Sequence, residues 1–318
     1  MSAAGLDPST KWARASAVVA GVFILIIPFT GYSPLIIGAI DTYVLALFVL
    51  SLNLLVGYGG MISMGHAAFF AVGGYAAGLL AKFYGVPMYL AFPLAPVAAG
   101  LLALVIGFLS VRLTHAYFIM LTLAFAQLVY TVLWKWNSVT GGDDGLIGFA
   151  PPGFLRDNNV YYYFVVVVVG ICGFALYRIC NSPFGQILTA IRDNPDRTSF
   201  IGVNVHAKQL AAFVIAGAFA GVAGALQAYF HRGMFVNSAH FVTSADALVI
   251  LLLGGSRYFI GPVVGAVLFK ILVIAIPNVT VYWPFFLGLV ILAVALFVPD
   301  GLMKLTERLK PRVARHVR

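Results

Sequence analysis

The residues of this sequence that could do chemistry are six polar or ionisable side chains within long apolar segments: Asp41, Asn53, His66, Gln127, Asp246 and Lys270. Ionisable groups in such segments are functional candidates because their burial in lipid costs free energy. His66 could satisfy local backbone groups or line a solute path, and Asp246 follows Ser244 in what resembles a helix start. Lys270 could snorkel or pair with a carboxylate. No catalytic triad, metal-spaced cluster or phosphate-binding loop is found, so we predict no catalytic residue, metal site or cofactor in this chain.

The elements that must position these residues are long and apolar. Hydrophobic residues make up 62% of the 318 residues, charged residues only 9%, and the mean hydropathy is +1.01. Soluble domains carry about 25% charged residues, and lipid-spanning strands would show short alternating segments. The sequence therefore predicts an all-α polytopic membrane protein with about ten transmembrane segments. The candidates are Ala15–Phe29, Pro34–Val56, His66–Phe83, Met88–Val111, Ala116–Trp136, Val160–Ile179, Gln209–Phe230, Ser244–Leu253, Phe259–Ile276 and Tyr282–Val298.

The basic residues predict the orientation of this array. If the N-terminus is cytoplasmic and each segment crosses once, most of the 19 Lys and Arg residues fall on the inner side, as the positive-inside rule requires. We expect a cytoplasmic N-terminus (1–14), a membrane domain (15–299) whose first span is retained, and a basic cytoplasmic tail (300–318). The tail would contact anionic lipid, which accounts for the net charge of +9 without a nucleic-acid partner.

Two stretches, the glycine-rich Gly57–Gly65 and His231–His240, predict breaks in the helices. The eighth segment, which follows the second stretch, is short for a full span, so some segments are expected to be broken or re-entrant. Irregular backbone at membrane depth is tolerated where it is covered or lines a cavity, and paired breaks in the two halves of a transporter point to the solute path. The predicted path residues are Asn53, Gly60, Ser63, Gly65, His66, Phe69, Gln127, Met234 and Asp246.

The predicted inner segment 181–208 has the pattern of two short helices. Ser182-Pro183 predicts a capping hydroxyl and a first-turn proline, Asn194-Pro195 predicts a second helix start, and Gly202 fits its end. The first helix has one apolar stripe, formed by Phe184, Ile187, Leu188 and Ile191. Such a device suits a protein that accepts force from a cytoplasmic motor. The alternative is an amphipathic helix that rests on the membrane interface.

The predicted outer segment 137–159 is rich in turn residues and net acidic, with Asp143 and Asp144 at its centre. It is either a solvated surface loop or a docking surface for an extracytoplasmic partner. A separate small-residue run, Ala216–Ala225, contains three glycines and predicts close helix packing rather than a binding site.

Four stretches of this chain resemble the LivM-type permease subunits of branched-chain amino acid ABC importers. They are SLNLLVGYGGMISMGHAAFFAVGGY (Ser51–Tyr75); YFIMLTLAFAQ (Tyr117–Gln127) with TGGDDG (Thr140–Gly145); SPFG (Ser182–Gly185) with AIRDN (Ala190–Asn194) and Gly202; and Gly254-Gly255 with GPVVGA (Gly261–Ala266). Together they cover about Tyr43 to Gly301, in the order and spacing of the family. One departure is the stretch Gly254–Pro262, in which Arg257 and Tyr258 replace a pair of small residues.

The resemblance implies an importer built from two related permeases, two ATPase subunits that bind ATP and Mg, and a periplasmic solute-binding protein. It implies that Asp143 and Asp144 face the binding protein. It also implies a coupling helix that seats in an ATPase, and we assign to ATPase coupling Ala190, Ile191, Arg192, Asp193, Asn194, Asp196, Arg197, Phe200 and Gly202.

For the solute, the resemblance implies hydrophobic or branched-chain amino acids or related small molecules, imported across the bacterial inner membrane. Urea, short amides and aromatic acids are alternatives within the same architecture. An ion-coupled secondary transporter and a passive channel are alternatives of a different class, and the absence of a carboxylate relay argues against the first of these.

Overall fold

The structure is a computed structural model that describes residues 28, 31–113, 115–278, 280–297 and 301. The predicted first span Ala15–Phe29 and the tail 300–318 lie almost entirely outside the described residues. The helices are α1 (Ser33–Asn53, continued by the π-helical turn Leu54–Tyr58), α2 (His66–Phe83), α3 (Met88–Ser110), α4 (His115–Lys135), α5 (Asn158–Cys180), α6 (Pro183–Asp193), α7 (Pro195–Phe200), α8 (Val205–His231), α9 (Phe241–Gly254), α10 (Gly261–Ala275) and α11 (Trp283–Phe297).

The described residues form an all-α membrane protein. Five helical stretches are long and apolar enough to cross a membrane, and α9 and α10 are shorter apolar helices. The five stretches are Ser33–Tyr58, Met88–Ser110, Ala116–Lys135, Asn158–Cys180 and Val205–His231.

A small strand pair is an element that the sequence did not predict. The strands β1 (Leu146–Ile147) and β2 (Gly233–Met234) pair antiparallel, with Leu146 opposite Met234. The pair ties the segment 136–157 to the second helix break. The same segment contains single helical turns at Asn137–Thr140, Gly142–Asp144 and Gly153–Leu155, and further turns lie at Val236–Ala239 and Ile276–Asn278.

Two helix starts differ from the prediction because of their caps. Helix α8 begins at Val205 instead of Gln209, since the Asn204 side chain accepts a hydrogen bond from the backbone N–H of Ala207 (3.0 Å). Helix α9 begins at Phe241, where Nδ1 of His240 accepts from the N–H of Val242 (3.4 Å). The predicted helix start at Ser244–Asp246 is therefore wrong, and both residues lie inside α9.

The core of the bundle is the packing of α8 against α2 and α3. A methyl group on Gly73 of α2 would overlap the backbone of Gly221, and one on Gly224 would overlap the carbonyl of Phe70. On the same face of α8, Gly217 lies against Ala103 of α3. The backbones approach this closely only because these positions have no side chain, which confirms the predicted packing role of Ala216–Ala225.

The bundle has two ends, which we name after the predicted orientation. The inner end carries α6 and α7, and the outer end carries the segment 136–157. Towards the outer end, Asp41 of α1 accepts hydrogen bonds from Nζ of Lys270 on α10 (3.0 Å) and from Nε2 of His231 on α8 (3.1 Å). Of the two sequence alternatives for Lys270, pairing with a carboxylate is confirmed.

Candidate functional site

The two predicted helix breaks meet inside the bundle. Helix α1 ends at Tyr58 and α2 begins at His66; α8 ends at His231 and α9 begins at Phe241. The backbone N–H of Ala67 in the first turn of α2 donates to Oγ of Ser244 in the first turn of α9 (2.8 Å). The N–H of Met64 donates to Oγ1 of Thr122 on α4 (3.2 Å). Three helices, α2, α4 and α9, thus converge at the two helix breaks, where the backbone is no longer helical.

His66 lies at this convergence and is fully buried (0% exposed). The hydroxyl of Ser51 donates to the carbonyl of Phe48 (2.7 Å) and lies 2.8 Å from Nε2 of His66. Because the hydroxyl proton is already used, Nε2 of His66 is assigned as the N–H donor to Oγ of Ser51. The ring stacks on Phe48 (5.2 Å between centroids) and meets Phe69 edge-on (5.9 Å). In this conformation the ring of His66 contacts the Ser51 hydroxyl and two aromatic rings, and its Nδ1 has no hydrogen-bond partner among the described residues, so neither of its two sequence alternatives is confirmed.

The other predicted path residues divide into a buried and an exposed group. Asn53, Ser63, Gly65, Phe69 and Met234 are buried. Both side-chain polar atoms of Asn53 lack a hydrogen-bond partner among the described residues. Gly60, Gln127 and Asp246 are exposed. The structure thus brings the buried group around the helix breaks, places Gly60 at the exposed edge of the first break, and leaves Gln127 and Asp246 on the surface of the bundle.

An open groove of about 830 Å³ follows one face of α4. It is lined by Leu123, Ala124, Gln127, Leu128, Thr131, Val132, Lys135 and Trp136. Gln127, Thr131 and Lys135 are four residues apart, so they share one helical face. Sequence reasoning selected Gln127 and missed the other two, although their spacing from Gln127 could have revealed them. A polar row on an otherwise apolar exposed face is unsuited to lipid.

The inner loop has the predicted pair of helices, with one difference in capping. The stripe of α6 faces the bundle, where Leu188 and Ile191 are buried. The Ser182 hydroxyl donates to the carbonyl of Ile179 (2.7 Å), so its predicted role as a side-chain cap is wrong. The Asn194 side chain caps α7 as predicted, accepting from the N–H of Arg197 (2.9 Å).

The tip of this loop is apolar and exposed. Phe200 ends α7 with 88% of its surface exposed, and the following Ile201 is 76% exposed. Gly202 stops the helix with a φ of +86°, a left-handed conformation that favours glycine. The sequence selected Phe200 and Gly202 and missed Ile201, which extends the same apolar surface. Asp196 and Arg197 are exposed beside it.

Arg192 is placed differently from the other predicted coupling residues. Its Nη1 donates to the carbonyl of Gly57, at the C-terminal end of α1, and both Nε and Nη2 lie 3.2 Å from Oδ1 of Asp193. The guanidinium therefore reaches back to the bundle instead of forward to the loop tip.

The outer segment presents Asp143 and Asp144 on an exposed turn. The turn is anchored by the hydroxyl of Thr140, which donates to the carbonyl of Leu133 (2.6 Å). The positions of both carboxylates agree with either sequence alternative, a solvated loop or a docking surface. Across the residues that the structure describes, no three His, Cys, Asp or Glu side chains form a group that could hold a metal ion.

The inner turn between α9 and α10 keeps its close packing despite the two larger residues. The N–H of Gly261 donates to the carbonyl of Tyr258 (3.1 Å), and a methyl group on Gly254 would overlap the backbone of Gly261. Arg257 lies on the exposed side of the turn and Tyr258 is half-buried. The two residues that depart from the family pattern therefore lie outside the close backbone contact between Gly254 and Gly261.

Broken apolar helices that converge inside a bundle, with an amphipathic helix pair at one end, define a polytopic transport protein. The chain belongs to the family described as branched-chain amino acid transport system / permease component, which matches residues 34–295. It is therefore a multi-pass permease of the inner membrane, from the ABC importer class.

Curated relatives agree with this assignment. The chain is 25% identical over 301 residues to the high-affinity branched-chain amino acid transport system permease protein LivM of Escherichia coli, covering 85% of this chain and 71% of the relative. The LivM of Salmonella typhimurium is 26% identical with the same coverage. The galactose/methyl galactoside import permease protein MglC of Haemophilus influenzae is 26% identical over 171 residues, half of each chain. No solved structure matches this chain significantly.

Proposed function

We propose that this chain is one of two related permease subunits of an ABC importer for branched-chain or other hydrophobic amino acids. Two separate ATPase subunits would bind ATP and Mg and drive it, and a periplasmic binding protein would deliver the solute. The inner loop 181–208 is then the cytoplasmic coupling loop and 137–159 the periplasmic loop, in a domain of about ten spans with both termini cytoplasmic. Family membership supports this ATP-driven class over a secondary transporter or a channel.

The observation that carries the proposal is the exposed apolar tip of the inner loop. Phe200 and Ile201 are 88% and 76% exposed at the end of a loop whose other face is buried against the bundle. Exposed pairs of large apolar side chains mark contact surfaces. We take a soluble partner, and not the membrane interface, as the contact of this tip.

The test replaces the tip in the co-expressed complex. Burying a Phe side chain is worth about 1.5–3 kcal/mol, so Phe200→Asp with Ile201→Asp should reduce co-purification of the ATPase subunits by at least about tenfold. The control is Tyr84→Asp, which replaces a 78% exposed aromatic residue at the outer end. Full ATPase recovery with the double variant would contradict the proposal.

The solute is identified on the same complex. We expect leucine-like amino acids, presented with the binding protein, to stimulate ATP hydrolysis in proteoliposomes. Stimulation by urea, acetamide or an aromatic acid, but by no aliphatic amino acid, would move the chain to one of the alternative solute classes.

The remaining partner surfaces follow from the exposed polar groups. We assign the polar row of α4 (Gln127, Thr131 and Lys135) to the face that meets the second permease and the solute path. Asp143 and Asp144 are assigned to the docking surface for the binding protein. Both assignments are supported by exposure and by residue type, and cross-linking from cysteines at Thr131 and Asp143 tests them separately.

A further inference from the structure

Arg192 sits at the junction between the coupling loop and the first helix break. It lies in the last turn of α6, and its Nη1 donates to the carbonyl of Gly57 in the π-helical turn that ends α1. The terminal carbonyls of a helix carry partial negative charge and accept hydrogen bonds from basic side chains. π-helical turns are rare and often occur at functional positions.

The aliphatic part of Arg192 makes a second contact, with Gly60. A methyl group on Gly60 would lie 2.6 Å from Cγ and 3.2 Å from Cβ of Arg192, so the arginine packs directly on the glycine backbone. Gly60 also has a φ of +68°, which only glycine adopts without strain. Arg192 thus holds both the last turn of α1 and the first residues of the break.

From this contact the chain leads directly to the convergence of the three helices. Met61 is held to the end of α1 by its N–H, which donates to the carbonyl of Leu55 (2.9 Å). Three residues later, Met64 is bonded to Thr122 of α4, and α2 begins at His66. On its other side, Gly57 lies against the carbonyl of Ser256 in the α9–α10 turn. Arg192 is therefore connected by direct contacts to α1, to the break and, through Gly57, to the turn after α9.

Asp193 holds the guanidinium of Arg192 in the orientation that reaches Gly57. Its Oδ1 lies 3.2 Å from both Nε and Nη2, which leaves Nη1 for Gly57. Arg192 is 33% exposed at its side chain, whereas Asp193 is 68% exposed. The arginine is committed to contacts within the chain, and the apolar tip at Phe200 and Ile201 is free for a partner.

We infer that Arg192 is a positioning residue that transmits movement of the coupling loop to the helix break through Gly57 and Gly60, and that it is not an ATPase contact. This inference rests on the proposed function, because it requires that the ATPase subunits act on the loop. It divides the predicted coupling set into a docking part at the tip and a transmitting part at the bundle.

The experiment uses the complete complex in proteoliposomes with its binding protein. Arg192→Ala should retain its ATPase subunits and its basal ATP hydrolysis, while solute uptake per ATP falls at least about tenfold. Arg192→Lys keeps a cation but loses the planar guanidinium that bonds to Asp193 and to Gly57 at the same time. Its uptake per ATP should therefore lie between those of wild type and Arg192→Ala. Arg178→Ala removes an exposed inner-end charge without this contact and should leave uptake per ATP unchanged.

Three results would overturn the inference: unchanged uptake per ATP in Arg192→Ala, loss of the ATPase subunits from that variant, or an equal fall in Arg178→Ala. If Arg192→Ala does not fold, the Lys variant decides, and wild-type uptake per ATP in it would count against the inference. Failure of the proposed function looks different, because the Phe200 and Ile201 double variant would then retain its ATPase subunits.

Discussion

Replacing Gly224 of α8 with alanine should destabilise the protein more than any other single methyl group added where α8 packs against α2. A methyl group there would overlap the carbonyl oxygen of Phe70 and lie 3.2 Å from the backbone nitrogen of Gly74. Both atoms belong to the backbone of α2, so no side chain can rotate to make room. The helices must separate, and the contacts around Gly73 and Gly221 are then lost as well.

The magnitude follows from two opposing effects. Alanine is favoured over glycine in a helix by about 1 kcal/mol, whereas overpacking a close-packed interior costs about 1–3 kcal/mol and occasionally more. Because the overlap is with backbone, we expect a net loss of about 2 kcal/mol. The matched control is Gly170→Ala in α5, where a methyl group meets nothing within 4 Å. This control should be neutral or slightly stabilising.

The assay is thermal unfolding of both variants in the same detergent and lipid mixture. A difference of about 3 kcal/mol between them corresponds to roughly a hundredfold in the folded-to-unfolded ratio and to a separation of about 5–10 °C in Tm. If Gly224→Ala melts together with Gly170→Ala, the close approach of α8 and α2 does not exist as described, and the packing argument fails.

Two further comparisons test polar contacts inside the bundle. Lys270→Met should lower Tm because it breaks the pair with Asp41; we expect a loss of about 1–3 kcal/mol, since both side chains are only part-buried and Asp41 keeps His231 as a partner. Adding Asp41→Leu should recover most of the loss, and a double variant no better than the single would exclude the pairing as the cause. Tyr161→Phe should cost about 1 kcal/mol, because its hydroxyl donates to the carbonyl of Leu226 (2.7 Å). Tyr229→Phe should be neutral, because its buried hydroxyl has no hydrogen-bond partner within the described segments, and the opposite order of melting temperatures would contradict this.

Elements whose boundaries depend on residues adjacent in the sequence were predictable from the sequence. Helix α2 runs from His66 to Phe83, the bounds that the apolar pattern predicts, because a glycine-rich break precedes it and Gly85 follows it. The α6–α7 pair was predictable because Pro183 and Asn194-Pro195 mark helix starts through the geometry of the first turn alone. Local stereochemistry determines such boundaries, so it can be read without knowing the fold.

Contacts between distant residues were not predictable in this way. Asp41 and Lys270 were both flagged, but nothing local pairs residues so far apart in the chain, and His231 was selected only as part of a break. The pairing of Leu146 with Met234 was missed because two-residue strands have no alternating pattern to detect. The position of α9 was misjudged because a histidine, His240, caps it in place of the more usual serine.

Contacts between distant residues also explain why the predicted path residues do not form an open path in this conformation. In this conformation the first turn of α2 is closed: the N–H of Ala67 is bonded to Ser244, and a methyl group on Gly65 would lie 2.7 Å from the carbonyl of Thr122. If the solute follows the path that we propose, between α2 and α9, the Ala67–Ser244 bond must open. Helix α9 ends at the turn that touches Gly57, the residue whose carbonyl receives Arg192. Arg192 is thus connected by contacts to both helices that the bond joins, and under our inference a movement of Arg192 would open the break from the inner end.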